Sequence, residues 1–199
     1  MRIVSAAGGL LATALLSACA AIPGFSPPPV DAIDLSAPAV IQTARNFPRK
    51  QILIAEPSAL KLLDGEDIVI RTDEGTVQLL SGVRWTDRLP QLIQARLAEA
   101  FQKTDSFGGV GLPGQGLAID YQIVTDIRAF EIRAGAGETV HVELFVRILD
   151  DRNGVVRGSR SVVAVAPVSG TGSAAYRAAF TTAFEAATIQ IVDWVVGSL

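Results

Sequence analysis

From Val140 to Ile148 every second residue is apolar: Val140, Val142, Leu144, Val146 and Ile148 alternate with His141, Glu143 and Arg147. A period of two makes one strand face apolar and the other wet, so this stretch must sit in a sheet with something covering one side. Neighbouring segments repeat the pattern. Leu117, Ile119, Tyr121 and Ile123 face one way, with Asp120 and Gln122 opposite. The phase then slips so that Phe130 and Ile132 carry the apolar face, which predicts a bulge near Arg128 and Ala129. Gly135-Ala136-Gly137 and Asp151-Arg152-Asn153-Gly154 are turn sequences, and a further strand is expected over residues 155–166.

Two helices are available to cover such a sheet. Leu89, Ile93, Leu97 and Phe101 recur every four residues, which predicts an amphipathic helix over residues 87–103. Thr86 or Asp87 can cap it, and Pro90 is tolerated in a first turn, where its missing N–H has no intrahelical partner. The second helix is expected over residues 173–197, where Tyr176, Phe180, Phe184, Ala187, Ile191 and Trp194 form a stripe with few charges around it. A helix so poor in charge predicts heavy burial, on its own sheet or on another subunit, the second of which makes the chain a possible homo-oligomer. Earlier in the chain, residues 20–49 read as a linker containing a short first strand near 32–35. "QILIAEP" (51–57) reads as a strand, "DIVIRTDEGTVQLL" (67–80) as a hairpin turning at Asp73-Glu74-Gly75, and "DSFGGVGLPGQG" (105–116) as a flexible loop. The fold class that follows is α+β: a single layered domain with two helices packed on a sheet of roughly six or seven strands, mainly antiparallel, with a mixed sheet as the alternative.

The chain has 199 residues, 49% hydrophobic and 19% charged, enough for one core without covalent staples. Its one cysteine cannot form an internal disulfide, and its one histidine cannot build a multi-histidine metal site. A net charge of −3 with no basic block gives nucleic acid nothing to bind. Gly109-Val110-Gly111-Leu112-Pro113-Gly114 matches G-x-G-x-x-G in letters only, since a helix precedes it and a strand follows. Asp150 to Gly154 resembles a calcium loop weakly. Leu149 and Arg160 stand where ligands belong, so a hairpin turn is the better reading. His141 on the polar strand face beside Glu143 reads as a solvated histidine, and no G-x-S-x-G elbow exists for a serine nucleophile. The expectation is therefore no cofactor, no metal and no enzyme.

No charge occurs between Ile3 and Val30. "IVSAAGGLLATALLSA" after Arg2 fits a secretory signal, and "PGFSPPP" beyond it cannot continue a helix. A membrane span of about 18 residues competes on length, but the run is mostly small residues. Leu16-Ser17-Ala18-Cys19 resembles the bacterial lipobox, in which the cysteine is acylated and the chain is cleaved ahead of it, here between Ala18 and Cys19. The expected organisation is a removed signal peptide (1–18), acylated Cys19 with a proline-rich tether (19–31), and one domain (32–199). Ala20 after the cysteine points to the inner leaflet of the outer membrane, facing the periplasm.

Behind this lipobox come Trp85 ending a strand, Leu89-Pro90 opening a leucine-rich helix, "IRAFEI" (127–132) and "VELFVRILDDRNGVV" (142–156). In this order they resemble the ABC-type transport auxiliary lipoprotein family, that of the PqiC lipoproteins. The first strand departs from the family pattern, with aspartate in "AIDLSAP" (32–38) where many members carry an aromatic residue. The resemblance implies a membrane-held, non-catalytic partner of an ABC permease, its ATPase and an MCE-domain periplasmic protein in moving lipids between membranes. It implies structural roles for Trp85, Leu89 and Pro90, with Trp85 packing on the helix. Two other readings are a lipid-binding shuttle or chaperone, and an outer-membrane assembly lipoprotein.

Overall fold

The computed structural model describes residues 29–199. Its strands, in chain order, are β1 (Asp31–Ile33), β2 (Phe47–Ile54), β3 (Ser58–Ala59), β4 (Asp67–Thr72), β5 (Val77–Trp85), β6 (Phe107–Gly111), β7 (Tyr121–Ala134), β8 (Thr139–Asp150) and β9 (Val156–Pro167). Helix α1 (Leu89–Lys103) follows β5, and α2 (Gly172–Ser198) ends the described chain.

The expected β7–β8–β9 meander is present, antiparallel throughout. The phase slip in β7 is a register shift between Ile127 and Ala129. On its other edge β7 pairs in parallel with β2, then β3, then β4, end to end. β5 extends this side antiparallel to β4, while β1 on β5 and β6 on β2 are parallel. The sheet is therefore mixed rather than mainly antiparallel, has nine strands rather than six or seven, and curls into a half-barrel. The cause is the length of β7: its 14 residues give three short strands a few partners each, and β2, β3 and β4 run on along it in one direction with only residues 55–57 and 60–66 between them.

Two expected loops are structured. Residues 34–46, read as part of a linker, form a strap that buries Leu35, Ala37 and Ile41 in the core. It is tied down by the Thr43 and Ser106 hydroxyls at 2.5 Å and by Lys103 Nζ donating to the Pro38 carbonyl at 3.3 Å. The glycine-rich segment contributes β6. A Cβ on Gly108 would lie 2.3 Å from the Pro48 carbonyl oxygen, so only glycine allows this close parallel approach to β2. The residues expected to open β7 behave in the opposite way, since 117–119 lie outside the strand and Leu117 is exposed.

Helix α1 buries Leu89, Leu92, Ile93, Leu97 and Phe101 along the expected stripe. Its cap differs from expectation. Arg88 holds the N-cap position with no side-chain cap, and the Asp87 carboxylate instead accepts from the Arg88 amide at 2.7 Å. On α2, Phe180, Phe184, Ala187 and Ile191 are fully buried, while Ala174, Ala178, Thr182 and Ala186 lie exposed on the far side. The burial is one-sided: small residues make up most of the outer face, with Arg177 and Asp193 its exposed charges.

Candidate functional site

The lipobox residues Leu16, Ser17, Ala18 and Cys19 lie outside the described residues. Trp85, Leu89 and Pro90 lie within them and are all buried. The Trp85 ring meets Phe180 at 4.8 Å and Phe130 at 5.5 Å between centroids, both edge-on, and Phe130 stacks on Phe180 at 5.3 Å. Its aromatic partner on a helix thus belongs to α2, so Trp85 locks the C-terminal helix onto the sheet. Backbone bonds complete the corner: the Trp85 amide donates to Glu66, Thr86 to Ile33 and Leu89 to Gly65. These residues form a structural joint and present nothing to a ligand.

What the domain does present is the sheet face away from the helices, and its β9 edge. Across β7, β8 and β9 that face is laced with charge. Arg147 bonds Asp126 at 3.2 Å, Arg128 lies 3.7 Å from Glu143, and the Arg128 guanidinium sits 4.1 Å above the Phe145 ring. Glu131, only 2% exposed, receives Arg71 Nε at 2.9 Å and Arg133 Nε at 3.3 Å. A buried carboxylate left without such donors costs about 1–3 kcal/mol or more. Arg71→Ala should therefore lower the melting temperature clearly, whereas Arg160→Ala, an exposed change, should leave it unchanged. Equal melting curves would refute the role given to Arg71.

His141 stands opposite Glu131 in the β7–β8 register and is half-buried rather than solvated. Burial pushes its pKa down, Arg133 adds to this, and Glu131 and Glu143 oppose it. The unfolded chain then binds the proton more readily than the folded one. Stability should be complete above the ordinary histidine value of about 6.5 and fall as pH drops through that value toward the lower folded one. Melting at pH 7.5 and 5.5 should show this loss, and His141→Gln should narrow the gap. A gap of the same width in the variant would exclude His141 as its source.

The C-terminal half of the edge is apolar, while Arg157, Ser159, Arg160 and Ser161 make its first half polar. β9 pairs with β8 only, and Val163 and Val165 stand 48% and 57% exposed on it. A long edge strand with exposed valines offers unpaired backbone donors and acceptors to a partner strand. Sequence reasoning anticipated the strand but not these two residues, because alternation alone does not say which strand ends the sheet. A shallow groove of 260 Å³ runs between the end of β9 and α2, lined by Ala166, Pro167, Ala178 and Thr182 among others. Among the described residues no three His, Cys, Asp or Glu side chains cluster to hold a metal, and no helix is long and apolar enough to cross a membrane.

Comparison with known proteins follows this geometry. A protein of Bradyrhizobium diazoefficiens described as uncharacterized is 30% identical over 167 residues, covering 82% of this chain but 44% of the relative, so the chain spans under half of that relative's length. The crystal structure of protein XCC0632 from Xanthomonas campestris is similar with a TM-score of 0.71 at 25% identity, over 82% of this chain and 95% of that one. The hypothetical protein CT253 from Chlamydia trachomatis shares the fold alone, with a TM-score of 0.50 at 10% identity over 75% of this chain and 97% of that one. The family described as ABC-type transport auxiliary lipoprotein component matches residues 34–192, from the strap after β1 into the last turns of α2. The buried Trp85 joint, the strap and every strand of the half-barrel except β1 lie within that match, and the chain belongs to this family of auxiliary transport lipoproteins.

Proposed function

We propose that this chain is a non-catalytic auxiliary subunit of an ABC transport system that moves lipids between membranes. It is held by acyl chains on Cys19 in the inner leaflet of the outer membrane and faces the periplasm. The observation that carries the reading is the coincidence of the lipobox at residues 16–19 with a family domain matched over 34–192. Stable anchoring takes more than one acyl chain, which an acylated N-terminal cysteine supplies. The dozen residues from Cys19 to β1 reach about 40 Å at full extension, enough to hold the domain clear of the headgroups.

Its partner is an MCE-domain periplasmic protein, which adds a strand to the β9 edge. Strand addition draws affinity from main-chain hydrogen bonds and specificity from alternate side chains, here Val163 and Val165. Cross-linking on intact cells followed by purification should recover an MCE-domain protein with the wild-type chain. The double change Val163→Glu, Val165→Glu should reduce recovery at least tenfold with an unchanged melting temperature. Recovery of no such protein by the wild type would defeat the reading. Equal recovery by the variant would move the contact elsewhere. Self-association through the small-residue face of α2 accompanies this role, and light scattering on the purified chain should give a mass above the monomer's. A monomer at micromolar concentration would remove it.

A further inference from the structure

Between β3 and β4 the chain bows outward over residues 60–66. A single helical turn there (Lys61–Leu63) buries Leu63, while Leu60 stands 78% exposed and Leu62 42%. Scattered single leucines on a surface need no explanation, but two on one braced turn are a different matter. The Leu63 amide donates to the Leu60 carbonyl at 2.8 Å. The Arg88 guanidinium bonds Glu56 at 3.3 Å and also Asp64, which clamps the chain on both sides of the leucines. The turn is thus a preorganised apolar knob, and seating it in a partner costs little conformational entropy.

A surface that fits the knob lies on the other flank of the domain. β8 and β9 extend the sheet on one side of β7, and β3 with the leucine turn lies on the other. The 260 Å³ groove between the end of β9 and α2 has a floor of Ala166, Ala175 and Ala179 and an exposed rim of Pro167, Ala178 and Thr182. Every lining side chain is small, and nothing among the described residues fills the space. Charge follows the same match. Lys61, next to Leu60, and Glu185, three residues along α2 from Thr182 and so its neighbour on the helix face, each lack an ion pair among the described residues.

We infer that the leucine turn of one copy seats in the α2–β9 groove of a second copy of this chain. Leu60 enters the groove, Leu62 covers the small residues on the outer face of α2, and Lys61 pairs with the second copy's Glu185. The inference rests on the self-association proposed for α2 and names the surface that meets it. Knob and groove lie on opposite flanks, so one contact leaves a free knob on one copy and a free groove on the other. Such a contact between unlike surfaces repeats from copy to copy and does not close at two. It also spares the β9 edge, because Val163 and Val165 alternate with Ala164 and Ala166 and point away from the groove.

The test uses the purified full chain, for which light scattering should give a mass above that of two copies. Leu60→Glu should raise the concentration needed for association about tenfold or more, the order expected for losing one buried leucine, with an unchanged melting temperature. Lys61→Glu should weaken association as well, and Glu185→Lys added to the same chain should restore it. A Leu60→Cys chain mixed with a Thr182→Cys chain under oxidation should give a disulfide-linked pair that neither chain gives alone, each serving as the control for Cys19. Wild-type assembly that survives Leu60→Glu, no restoration by the charge reversal, or no linked pair on mixing would overturn the inference and leave self-association standing. A wild-type mass of two copies would overturn the head-to-tail contact, and a wild-type monomer would remove self-association along with it.

Discussion

Trp85→Ala is expected to destabilise the domain by about 3–5 kcal/mol, the range for deleting a large buried aromatic side chain. Trp85 is 1% exposed and joins three parts of the fold: the end of β5, Phe130 on β7 and Phe180 on α2. Removing it leaves the stacked Phe130 and Phe180 rings facing a cavity that neither the sheet nor the helix can close. Against a typical total of about 5–15 kcal/mol this is a large fraction. For a domain of this size the melting temperature should fall by about 10 °C. Trp85→Phe should cost far less. The indole N–H is buried without a hydrogen bond, so phenylalanine discards an orphaned donor along with some volume. Thermal melts of both variants test the joint, and equal losses would show that ring identity, not filled volume, matters there.

Cys19→Ser should abolish acylation altogether. In a lipobox the thiol is the acyl acceptor, and acylation precedes cleavage. The variant should therefore incorporate no labelled palmitate and persist as the longer precursor with residues 1–18 attached. Attachment by acyl chains scales with about 0.8 kcal/mol per buried methylene, so once they are lost any attachment that remains comes from the uncleaved apolar residues 1–18. Labelling with palmitate, followed by fractionation, reads both effects in one experiment. Label retained by the variant would refute acylation at Cys19 and return the N-terminus to a plain signal or span. The β9 edge is read on the folded domain and does not depend on that outcome.

The two experiments probe regions that are legible in the sequence to different degrees. The lipobox is local chemistry: four adjacent residues carry the whole reading. Within the domain, the β7–β8–β9 meander, the bulge, α1 and the buried stripe of α2 were also readable, because side-chain period is a property of contiguous residues. Short turns join these elements, so periodicity and turn residues together suffice.

What only the tertiary structure decided is what depends on residues far apart in the chain. Parallel pairing of β2, β3 and β4 on β7 joins segments about 60–70 positions distant, and nothing in their alternation names the partner. Gly108 looks like a loop residue until the Pro48 carbonyl is placed against it. Glu131 looks like one more wet-face carboxylate until Arg71 from β4 closes over it. The groove of Ala166, Ala178 and Thr182 draws on two elements that no spacing connects. Sequence by itself determined the principal elements and the α+β class, and it carries the expectation of an anchor at Cys19. Packing decided which strand became the exposed edge, which carboxylate was buried and where donors and acceptors were left unpaired, because those follow from distances in space that period and composition do not encode.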